Sequence, residues 1–124
     1  MISPTSVFRS IQVGNLRIEI TTRKRRKRQT NEEKASIEKV INAKFCDTIQ
    51  NSLDGNICNI QNIQFMDASP LSGFFVHFLI VFKALITSVP DILSQLKNVH
   101  EALGTEMDEA GRMLVFKPGV ISSK

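Results

Sequence analysis

Apolar positions along this chain first alternate with polar ones, then recur at helical spacing, and this succession of rhythms runs through the chain twice. Leu16, Ile18 and Ile20 alternate with Arg17 and Glu19, so residues 7–20 predict a strand with one buried and one wetter face. Gly14-Asn15 marks a bulge in it, or a break from a short preceding strand. Ile37, Val40, Ile41, Lys44 or Phe45, Ile49 and Leu53 follow at helical spacing. Thr30-Asn31-Glu32-Glu33 reads as the helix start: Thr30 accepts from the Glu33 amide while the Glu33 side chain reaches back. Gly55 is placed to end that helix through a positive φ. Residues 57–65 predict a second strand whose imperfect alternation points to a bulge or an edge position. After a turn over 67–73 comes a run, 74–82, that is apolar on both faces, as in a central strand covered on at least one side. Ser88-Val89-Pro90-Asp91 opens a second helix, with Pro in the first turn where no amide is missed. Its stripe is Ile92, Leu93, Leu96, Val99, Leu103 and Met107, and a last strand over 113–116 stops at Pro118-Gly119.

Strand, helix, strand, strand, helix, strand predicts an α+β fold of the ferredoxin-like, split βαββαβ kind. The expected sheet is four-stranded and antiparallel, with the first and third strands in the middle and both helices on one face. At 124 residues and 42% hydrophobic content, the chain suits one domain over 1–124 with a single core. The apolar stretch 74–86, interrupted by His77 and Lys83, falls short of the roughly 20 residues a membrane span needs. The opening Met1-Ile2-Ser3-Pro4 lacks the charged-then-apolar pattern of a signal peptide. A targeting or membrane segment of an exported parent protein is therefore expected outside this chain.

Three segments together resemble a SEA domain, the extracellular module of membrane mucins, agrin, enteropeptidase and related membrane-anchored proteases. Phe74-Phe75-Val76-His77-Phe78-Leu79-Ile80-Val81-Phe82-Lys83 is similar to that family's apolar third strand. Gly111-Arg112-Met113-Leu114-Val115-Phe116-Lys117-Pro118-Gly119-Val120-Ile121 is similar to its final strand, and 37–53 followed by Cys58 to its first helix and second strand. The resemblance implies a spacer, contact or proteolytic-junction module at the cell surface. Self-cleaving members carry Gly-Ser at the turn into the third strand, where the Ser hydroxyl attacks a strained peptide bond. Here the order is Ser72-Gly73, which puts the hydroxyl on the wrong side of the glycine carbonyl. No self-cleavage is expected.

Charge changes the picture at one place. The formal net charge is +4, but six of sixteen basic residues form the run Arg23-Lys24-Arg25-Arg26-Lys27-Arg28. Elsewhere ten basic residues face twelve acidic ones, a net of −2, so a slightly acidic body carries one basic spike. The run fits the Arg-x-Lys/Arg-Arg pattern cut by furin-type convertases, whose acidic pockets need an extended, exposed segment. It equally suits contact with heparin-like glycans, nucleic acid or anionic lipid through Coulomb attraction and counterion release, or a nuclear localisation signal. A solvated loop without a partner is the third reading.

Cys46 and Cys58, twelve residues apart, are either one disulfide in an oxidising compartment or two buried thiols. No Asn-x-Ser/Thr sequon is present. His77, within an apolar strand, is expected to be a hydrogen-bonded residue on the outer sheet face, and His100 a surface residue. Two His and two Cys lack zinc-ligand spacing, so no metal and no cofactor are expected, and no catalytic residues are assigned. The sequence thus reads as a non-catalytic extracellular or cell-surface module with protein or anionic-glycan partners, a furin-type protease acting on its loop, and membrane attachment through segments outside the chain. The competing class is a nuclear or cytoplasmic ferredoxin-like protein that binds nucleic acid through the same run. Against it, the chain has no Tyr or Trp to stack bases, and the first strand offers Arg17 and Glu19 instead.

Overall fold

The computed structural model describes residues 5–21, 31–70, 73–107 and 111–123. The basic run 23–28, Thr30 of the expected helix cap and Ser72 lie outside the described residues. The elements are β1 (Ser6–Thr21), α1 (Asn31–Asn42), β2 (Cys58–Asp67), β3 (Phe74–Leu85), α2 (Val89–Ala102), β4 (Thr105–Met107), β5 (Met113–Lys117) and β6 (Val120–Ser123). All strand pairs are antiparallel, in the order β2-β3-β1-β5-β4, with β6 also paired to β1.

The expected four-stranded ferredoxin-like sheet is therefore wrong: the sheet has six strands, within a mixed α+β fold. Two local causes account for the difference. The second helix stops at Ala102, because Leu103 turns to extended backbone (φ −60°, ψ 134°) just before Gly104. Leu103 and Met107 consequently leave the helical stripe, and the Gly104 carbonyl accepts from the Phe116 N–H at 2.9 Å, laying 105–107 along β5. At the other end Pro118-Gly119 interrupts the final strand without ending it. β5 pairs with Arg17–Thr21 of β1 and β6 with Ile11–Gly14, so one long strand supports both pieces on the same side. The interruption falls where β1 itself bulges, between Val13 and Leu16, with Asn15 at φ 55°. A β-carbon on Gly119 would lie 2.2 Å from the Gly14 carbonyl oxygen and 2.3 Å from that of Asn15. Only glycine fits there.

β2 shows both features its uneven pattern suggests. It lies at the sheet edge, and its register with β3 shifts between Gln61 and Gln64, with Asn62 at φ 56°. β3 is central, between β2 and β1, and its residues alternate strictly between buried and half-buried. The buried set, Phe74, Val76, Phe78, Ile80, Phe82 and Ala84, meets Ile11, Val13, Leu16 and Ile18 of β1 and Leu114 and Phe116 of β5 in one core. Ile37, Ile41, Phe45 and Ile49 roof that core together with Val89, Ile92 and Leu96 of α2. Phe45 meets Phe78 edge-on, with ring centroids 5.7 Å apart.

The first roof element is not one regular helix through Leu53. After α1 the backbone widens into a π turn over Ala43–Asp47, then tightens into 3-10 turns at Gln50–Ser52 and Asp54–Asn56. The core residues explain the widening. Ile37, Ile41, Phe45 and Ile49 are spaced by four, and on a 3.6-residue helix each such step drifts about 40° around the axis. A π turn holds more residues per turn and takes back part of that drift, keeping Phe45 and Ile49 on the sheet. Gly55 does take a positive φ, 69°, but it lies within the last short turn, after extended backbone at Leu53 (φ −96°, ψ 142°) has already broken the helix.

Candidate functional site

Both helical elements pack on one face of the sheet, and among the described residues no helix covers the other face. The residues presented there follow from strand alternation corrected for the two bulges: Phe8, Ser10, Gln12 and Arg17 on β1, paired with Lys83, Val81, Leu79 and Phe75 on β3. On the other flank of β3, Asn59, Gln61, Gln64 and Met66 of β2 stand opposite Val81, Leu79, His77 and Phe75. A half-buried line of Phe75, Leu79 and Val81, interrupted by His77, thus runs between two mostly polar rows.

Depressions among the described residues mark this face. One of about 170 Å³ is lined by Gln12, Asn62, Gln64, His77, Phe78 and Leu79. Another, about 300 Å³, lies among Phe8, Arg9, Ser10, Leu79 and Val81. Phe8 is 60% exposed, and the Lys83 ammonium sits 5.6 Å from its ring centroid, a cation–π arrangement. Arg17 and Glu19 pair along β1, so their charges offset each other on the open face.

His77 is on the outer face, as its strand position predicts, but it is not hydrogen-bonded through Nε2: that atom is enclosed and has no partner. Its ring lies over the β1 bulge, where a β-carbon on Gly14 would stand 3.3 Å from Nδ1. His100 is the larger surprise. Far from being a surface residue, it is fully buried, and its Nε2 accepts the Gly119 N–H at 3.2 Å. Burial pushes its pKa below the ordinary 6.5, opposed by the Glu101 carboxylate 3.7 Å from Nδ1. The sequence did carry a signal: His100 follows Ile92 and Leu96 at steps of four, on the core stripe of α2. Among the described residues no group of three His, Cys, Asp or Glu side chains could hold a metal ion.

Cys46 and Cys58 are joined in a disulfide, Cα–Cα 5.6 Å, and no free cysteine remains among the described residues. The bridge fastens the π turn after α1 to the first residue of β2. Gly73, at φ 82°, has no room for a β-carbon: one would meet the Ile18 carbonyl oxygen at 2.2 Å. Among the described residues no helix is long and apolar enough to cross a membrane. No protein family, no curated protein and no solved structure matches this chain.

Proposed function

We propose that this chain is a non-catalytic extracellular module, SEA-like in character, within a larger membrane-anchored or secreted protein. The module acts as a spacer and contact domain, and Arg23-Lys24-Arg25-Arg26-Lys27-Arg28 serves as a convertase site or a contact for anionic glycans. The observation that carries the proposal is the Cys46–Cys58 bridge. Disulfides persist in oxidising compartments and are rare where glutathione and thioredoxin keep thiols reduced. The similarity of 74–83 and 111–121 to the SEA pattern adds to it. It does not depend on a four-stranded sheet, from which the short β4 and the split final strand depart.

The test is the redox state of the protein in cells. Protein recovered from its natural source is alkylated without reductant and weighed intact. An unmodified mass, gaining two adducts only after reduction, is the expected result. Two adducts before reduction would sink the extracellular assignment. Salt-sensitive RNA binding by that same preparation would move the basic run to an intracellular role.

A further inference from the structure

The two flanks of the sheet end differently. One finishes in β4 and β6, of three and four residues, the kind of short strand that gives a stranger little to pair with. The other finishes in β2, ten residues long and paired, among the described residues, only with β3. Half of the inner peptide groups of an edge strand point away from the sheet, and natural sheets screen such rows with charge, proline, bulges, shortness or a covering element. From Cys58 to Met66 β2 carries neither a charge nor a proline, and Asn59, Gln61, Asn62, Gln64 and Met66 are all exposed. Asp67, the last residue, is its only charge. The bulge at Asn62 bends the strand but leaves a regularly paired piece on each side, 58–61 and 64–67.

We propose that β2 is a self-pairing edge, through which two copies of this chain associate antiparallel about a two-fold axis. The occupant follows from charge. In a two-fold pairing every strand meets its own sequence, so a charged edge would confront like charge with like. Nine uncharged residues remove that repulsion, and an antiparallel alignment carries Asp67 away from its own copy toward the Cys58 end. Met66, 44% exposed beside Phe75 at the margin of the apolar line, gains cover from the mate. The contact is isologous and closed: pairing consumes the long edge of both copies and leaves only short ones. This inference stands apart from the extracellular reading.

Sedimentation velocity across a wide concentration series, with the disulfide intact, tests it. The wild-type chain is expected to show a monomer–dimer equilibrium. Gln61→Lys/Gln64→Lys and Gln61→Glu/Gln64→Glu each place like charge on both strands and should weaken self-association about tenfold or more. Both side chains are exposed, so far-ultraviolet circular dichroism should not change. Mixing the two variants should restore dimers, because lysine then meets glutamate. A wild-type monomer at every concentration overturns the proposal. So do dimers that survive in both charged variants, and so does a mixture that stays monomeric.

Discussion

The neutral imidazole of His100 holds three things at once: the end of α2, the turn between β5 and β6, and through Gly119 the bulge of β1. Protonation removes the acceptor at Nε2 and puts charge into a site where burial already lowers the pKa, the Glu101 carboxylate opposing only in part. The sign follows. Unfolded, the ring titrates near its ordinary 6.5; folded, it titrates lower. The stabilisation is whole above the unfolded value, declines as pH falls below it, and stops declining beneath the folded value. Urea denaturation should therefore show lower stability at about pH 5 than at about pH 7.5. His100→Gln keeps an acceptor for Gly119 without the titration, and its stability should change less over that range. An equal slope in both proteins would place the effect elsewhere. Asp67 does not confuse the comparison. Hydrogen bonds from the Ser69 N–H and hydroxyl, 3.0 and 2.9 Å, hold its carboxyl below 3.8, so its contribution is lost only at more acid pH.

Among the elements, the passage from α1 to β2 is where regular structure gives way. A π turn and two 3-10 turns carry the chain from roof to sheet edge, and the disulfide closes this twelve-residue stretch. Closing a loop of that length removes unfolded-state entropy equivalent to about 3 kcal/mol. The double variant Cys46→Ala/Cys58→Ala should lose about that much in chemical denaturation, and reduction of the wild type should lose a similar amount. A loss well under 1 kcal/mol would mean that Phe45, Ile49 and the β2–β3 ladder hold the segment without the bridge.

For the whole molecule, the decisive relation is between the basic run and what lies on each side of it. β1 precedes the run, and every other element follows it. β1 is also central, paired with β3 on one side and with β5 and β6 on the other. The disulfide joins two positions that both follow the run. A convertase cut within 23–28 would thus leave the two pieces held by the sheet and core alone. Furin-type digestion should yield one species on native size exclusion. On a denaturing gel the same sample should give two bands even without reductant. Separation already under native conditions would contradict the central position of β1.

The sequence by itself determined the alternation of β1, the uneven edge character of β2, the enclosed character of β3, and the apolar stripes of α1 and α2. Each is a local pattern: a period of two or of about four, broken at Gly14-Asn15 and uneven over 57–65, is written in neighbouring residues. It also put His100 in line with Ile92 and Leu96, although side-chain polarity argued for the surface. The tertiary structure alone decided the sheet's true size. Residues 105–107 and 120–123 have no strong pattern of their own, and they become strands because β5 and the sixteen-residue β1 present open backbone beside them. It alone decided, too, that Cys46 and Cys58 meet, and that Gly119 settles on the β1 bulge under His100. Those are meetings between residues distant in the chain, and a local period carries no record of which distant partner will arrive.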